Sequence, residues 1–145
     1  MAVTRVPVAA EKDVQAMIMA YLRMRGFYTL RLNAGALPNA QGRLVRMLPA
    51  GTPDVCFGLT VDGLTYLAFV EVKRVGGRQS ERQKLCQQDL DARGIPYILA
   101  TSVDDVDTGI VAFTRRVRAR PLGPSPLVAY GEANRDKKRI HGDHT

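Results

Sequence analysis

Three residues in the middle of this chain could share one site if the backbone brought them together: Asp54, Glu71 and Lys73. Two carboxylates beside an ammonium group can hold a divalent cation, and hard Mg²⁺ prefers carboxylate and water oxygens. The stretch between them supplies a way to meet. Two apolar runs flank Asp62-Gly63, the dipeptide favoured in a two-residue type I′ turn because both central residues need positive φ. With Val61 opposite Leu64, Thr60 faces Thr65, Phe57 faces Ala68, Cys56 faces Phe69 and Asp54 faces Glu71. Residues two apart on a strand point the same way, so Lys73 shares a face with Glu71, one pleat further on.

That pairing carries a cost. Directly opposed side chains have Cβ atoms about 4.5–5.5 Å apart, and like charges there destabilise a sheet. Two carboxylates about 5 Å apart repel by roughly 3 kcal/mol at an effective dielectric near 20. The whole β-propensity scale spans only about 1 kcal/mol, so the repulsion dominates unless a cation, with help from Lys73, cancels it. A surface salt-bridge cluster at a strand end, or a bulge that shifts the register by one, are the plain structural alternatives.

The flanking elements must position these groups. From Glu11 to Arg25, Val14, Met17, Ile18, Tyr21 and Leu22 recur at helical spacing, and Gly26 is placed to stop the helix. Glu11 and Gln15, four apart, sit one above the other beside that stripe. Phe27 to Leu32 predicts a strand, 35–42 a loop containing Pro38, Asn39 and Gly42, and Arg43 to Met47 a second strand. After the hairpin, the basic turn from Arg74 to Gln79 leads into a helix that begins at Ser80 and ends at Gly94. Ser80 and Gln83 have the spacing of a capping box. Ile95 to Ala100 is an apolar run short enough for a buried strand. Ser102 with Asp105 then opens a helix carrying Val103, Val106, Ile110, Phe113 and Val117. The expected order is α-β-β-β-β-α-β-α.

Pro53-Asp54, the hairpin, and Glu71-Val72-Lys73 together resemble the metal site of the PD-(D/E)XK nuclease superfamily. The wider wording is similar to the virus-type replication-repair nuclease (VRR-NUC) domain over about residues 11 to 105: Glu11 and Gln15, Arg31-Leu-Asn-Ala-Gly35, Pro49 to Asp54, Glu71-Val-Lys73, Gly76-Gly77 and Ser80 to Gln83. The resemblance implies an α/β (α+β) restriction-endonuclease-like core, α-β-β-β-α-β around a mixed sheet. It also implies a magnesium-dependent endonuclease, with manganese as a substitute, that hydrolyses DNA phosphodiester bonds. Asp54, Glu71, the Val72 backbone carbonyl and Glu11 would serve the metal, and Asp54, Glu71, Lys73 and Gln83 the catalysis. Gln15 and Ser80 would support the site, and Arg74, Arg78 and Arg82 would contact phosphates. Stand-alone family members resemble dimeric Holliday junction resolvases, which implies branched DNA as partner and a homodimer. A non-catalytic nucleic-acid-binding module and an RNA-cleaving nuclease remain the rival readings.

At 145 residues the chain suits one domain with a self-sufficient core. Its two cysteines, Cys56 and Cys86, form no C-x-x-C pair and suit reduced thiols. No apolar run approaches the length of a membrane span, and the first ten residues lack a signal-peptide core. A cytoplasmic protein is expected, in the host cytoplasm if phage-encoded and at the nucleoid if bacterial. The boundaries expected are an arm over 1–10, a nuclease-like domain over 11–118 and a basic, disordered tail over 119–145. Of the net charge of +7, residues 115–145 carry +5, with eight Lys or Arg against three acids. Deleting residues 119–145 is therefore expected to flatten the salt dependence of DNA affinity, each lost phosphate contact reducing the slope by roughly 0.9. An unchanged slope would show that the tail does not engage DNA.

Overall fold

A computed structural model describes residues 7–32 and 35–120. Most of the expected arm, most of the basic tail, and Asn33 with Ala34 lie outside the described residues. The chain divides into two compact units, 1–115 and 116–145. The sheet and the candidate site lie in the first, and residues 116–119 complete the last helix.

The elements run α1 (Glu11–Met24), β1 (Thr29–Arg31), β2 (Ala36–Pro38), β3 (Leu44–Arg46), β4 (Val55–Val61), β5 (Leu64–Val72), α2 (Glu81–Ala92), β6 (Tyr97–Ala100) and α3 (Val103–Ala119). Four strands form one mixed sheet in the order β1-β4-β5-β6, antiparallel except for the parallel β5–β6 pair. The protein is thus an α+β fold.

The central hairpin follows from its turn. Asp62 (φ 50°) and Gly63 (φ 82°) both occupy the left-handed region that a type I′ turn demands. The ladder then runs without a bulge from Val61 opposite Leu64 to Val55 opposite Val70. Val55, Phe57, Leu59 and Val61 alternate into the core with Ala68, Val70 and Val72 of β5. Each large apolar side chain so buried contributes on the order of 1.5–3 kcal/mol.

Helices α1 and α3 cover this face. The α1 stripe Val14, Ile18, Met19 and Leu22 is buried, and Gly26 (φ 82°) ends the helix. Just beyond it, the Phe27 ring lies 5.7 Å from that of Phe57. From α3, Val106, Ile110 and Phe113 are buried, with the Phe113 ring 5.2 Å from Tyr66 in an edge-on contact. The two helices are tied together at their rims, where Asp107 accepts hydrogen bonds from both Tyr21 and Arg25.

One expectation is corrected. In place of the loop expected over 35–42, Ala36–Pro38 pairs with Leu44–Arg46 as a second, two-stranded sheet. Five strands therefore precede α2 where four were expected. Asn39 closes this hairpin: its Oδ1 accepts from the backbone N–H groups of Gln41 and Arg43, at 3.0 and 2.9 Å. Pro38 fits because a two-stranded ribbon has only edge strands, where a missing N–H is tolerated. Among the described residues, no helix is long and apolar enough to cross a membrane.

Gly109 explains how α3 approaches the sheet so closely, since a Cβ there would meet Ile98 Cδ1 and Cγ1 at 2.8 Å. Alanine would gain up to about 1 kcal/mol in helix propensity, whereas overpacking a well-filled contact costs about 1–3 kcal/mol. Gly109→Ala should therefore destabilise the protein in urea unfolding, and the loss should shrink when Ile98→Ala opens the contact. A stabilised single variant would refute this packing.

Candidate functional site

The ladder stops at Val55 opposite Val70. Asp54, the next residue back along the chain, turns its carboxylate onto β5, where Oδ2 accepts from the Val72 N–H at 2.8 Å. The Asp54 carbonyl accepts from the Leu32 N–H at 2.7 Å. The residue is thus held between β1 and β5.

Glu71 is the centre of the site. Only 1% of its surface is exposed. Its Oε1 accepts from Lys73 Nζ at 2.9 Å and from Gln83 Nε2 at 2.5 Å. Its Oε2 is buried and, among the described residues, has no hydrogen-bond partner. Burial, above all, pushes the Glu71 carboxyl up from 4.5 to about 7; the Lys73 pairing opposes the rise, while the charges of Asp54 and Glu11 add to it. Burial also raises Asp54, against the pull of the Val72 N–H and of Lys73. At Lys73 burial favours the neutral amine, but pairing with Glu71 outweighs it and holds the proton above the ordinary lysine range.

The helix bearing Gln83 is fixed by its own cap. Ser80 Oγ accepts from the Gln83 N–H at 3.3 Å, and Gln83 Oε1 accepts from the Ser80 N–H at 2.8 Å. Capping engages one end of the Gln83 amide and leaves Nε2 to reach Glu71, so a single side chain does both jobs. The loop carrying Asp54 docks on the same helix at Gly51 (φ 91°), where a Cβ would come within 2.5 Å of the Arg82 carbonyl oxygen.

Compared with protein-family models, curated proteins and solved structures, the chain gives no significant match.

The remaining candidates divide. Glu11 is exposed at the start of α1 and acts on Asp54, Glu71 and Lys73 through its charge. Among the described residues, no group of three His, Cys, Asp or Glu side chains gathers closely enough to hold a metal ion. Gln15 lines a cleft with Lys12, Arg23 and Arg31. Arg74, Arg78 and Arg82 are exposed. Val72 is buried, with its N–H given to Asp54. Cys56 and Cys86 are free and half-buried.

Sequence reasoning missed a polar relay beside Glu71. Gln79 Nε2 donates to Gln87 Oε1 and to the Tyr97 hydroxyl, both at 3.0 Å. Tyr97 lies close enough to Glu71 for that charge, after burial, to raise the phenol's pKa. Nothing local in the sequence signals this, because it joins the turn before α2, α2 itself and β6.

The carboxyl shifts have a definite sign. Glu71 holds its proton in the folded state up to about pH 7 but releases it near 4.5 when unfolded. Its contribution to stability is therefore complete below about pH 4.5 and is lost as pH rises through 7. Asp54, also raised, acts in the same direction. Metal-free protein in EDTA should lose stability between pH 5 and 7.5, and Glu71→Gln should flatten that slope. A stability that rises with pH across this window in the wild type would contradict the burial of Glu71.

Proposed function

We propose that this chain is a metal-dependent endonuclease that hydrolyses DNA phosphodiester bonds, of VRR-NUC type within the PD-(D/E)XK superfamily, with a restriction-endonuclease-like core. One observation carries the reading: Lys73 and Gln83 both engage a single oxygen of the buried Glu71, and its other oxygen has no partner. Burying an unsatisfied carboxylate oxygen is costly. A hard divalent cation satisfies such an oxygen, and the carboxylate of Asp54 at the facing register position is a donor of the same chemistry. The residues present therefore fit magnesium, or manganese in its place.

Asp54 and Glu71 would hold the ion, the Val72 carbonyl would be a third oxygen donor, and Glu11 would contribute directly or through water. When bound, the ion lowers the pKa of a water and offsets charge on the phosphate oxygens. Gln83, held by its own cap, engages one oxygen of Glu71 and leaves the other for the ion. Lys73, protonated well above neutral pH, brings a fixed positive charge that stabilises negative charge developing on the substrate. Gln15 and Ser80 support the elements on which these groups stand. Arg74, Arg78 and Arg82 would contact phosphates, which positions a substrate without reading its bases. Selection would then rest on DNA shape, and branched DNA such as a Holliday junction is the proposed substrate, cut by a homodimer.

Branched and linear DNA, with matched RNA, should be assayed in magnesium and in EDTA. Cutting of branched DNA in magnesium alone is expected, with Asp54→Asn and Lys73→Ala each reducing it at least about 100-fold, the scale typical of losing a charge-stabilising group. Equal cutting in EDTA, or full activity in either variant, would overturn the proposal, and cutting confined to RNA would reassign the substrate.

A further inference from the structure

We propose that the cleft beside α1 is a second DNA-binding subsite, which holds backbone phosphates of a strand leading to the Asp54–Glu71 pair. This rests on the nuclease reading for its choice of ligand, but the observations are separate. The cleft, of about 410 Å³, is lined by Lys12, Gln15, Ala16, Met19 and Arg23 of α1 and by Arg31 of β1. Lys12, Ala16, Met19 and Arg23 fall at helical spacing, so they form one stripe along the helix. Arg31 closes the cleft from the strand.

Its charge is one-sided. Among the described residues Arg25, Lys73, Lys84 and Arg93 are each in a salt bridge with a carboxylate, whereas Lys12, Arg23 and Arg31 are in none. The acids on the same helix, Glu11 and Asp13, do not line the cleft. A hollow lined by three cations and no acid favours an anionic ligand. Gln15, half-buried among them, adds an amide that can donate to a phosphate oxygen.

The dimensions favour a strand over a single phosphate. Lys12 and Arg23 are separated by about 16 Å along the helix at 1.5 Å per residue. A nucleic-acid strand carries one charge per about 3.4 Å of axis, so the stripe spans several phosphates. Its position ties it to the carboxylates: Arg31 pairs with Val55, the residue after Asp54, and the next N–H along, that of Leu32, donates to the Asp54 carbonyl. A strand lying in the cleft runs toward the site.

The test is fluorescence anisotropy of a labelled branched DNA across a salt series in EDTA, where no metal-dependent cutting occurs. The variant Lys12→Ala/Arg23→Ala removes two exposed cations; Lys84→Ala/Arg93→Ala removes the same charge from α2 and the residue after it, where both are paired with acids. The cleft variant should lower the slope of log affinity against log salt by about 1.8, at roughly 0.9 per phosphate contact, and the control should leave it unchanged. Circular dichroism melts establish that both fold. An unchanged slope in the cleft variant, or an equal drop in both, overturns the subsite. Cutting assayed in parallel keeps the two ideas apart: wild type that cuts while the cleft slope is unchanged removes the subsite alone, and wild type that never cuts while the slope falls removes the nuclease reading alone.

Discussion

Burying a carboxylate requires that its charge be met, and at Glu71 it is met on one side only. Lys73 and Gln83 both engage Oε1, while Oε2 is enclosed without a partner. The carboxyl accordingly titrates at about 7, far above an exposed glutamate. In the proposed site a proton and a cation would compete for that oxygen near neutral pH, and the neighbouring Asp54, raised for the same reason, would sharpen the competition.

That centre exists only because the strand register is fixed. A slip of one residue would send every side chain of β5 to the opposite face, and Glu71 would enter the apolar layer in place of Val70 and Val72. Two features prevent it. The Asp62-Gly63 turn sets the ladder at one end, and the Val72 N–H to Asp54 bond closes it at the other, past the last regular pair. The alternating burial of β4 holds the middle.

What could be read from the sequence was what obeys local rules. The type I′ turn, the hairpin register, the Ser80–Gln83 capping box and the helix α1 with its terminal glycine each need only a few neighbouring residues to define them and are found, although in the α1 stripe Met17 is exposed and Met19 is buried instead. Strand β2 escaped because it is three residues long, ends in proline, and is held by the side chain of Asn39. The Gln79–Tyr97 bond and the approach of Arg31 to Lys12 and Arg23 depend on which strands pair, which no local pattern specifies.

Helix α2 shows what a charged centre demands of the element that covers it. Unlike α1 and α3, it has no buried residue, and its links to the sheet described above are polar: Gln83 to Glu71, and Gln87 through Gln79 to Tyr97. An apolar face laid over Glu71 would leave the carboxylate still less compensated, so the usual way of fixing a helix, burial of a hydrophobic stripe, is closed at this position. The capping box and the close seat of Gly51 on Arg82 take its place. Both act at the N-terminal turn, next to Gln83. The helix is therefore positioned most firmly where it meets Glu71, and the residue that caps it is also the one that orients the acid.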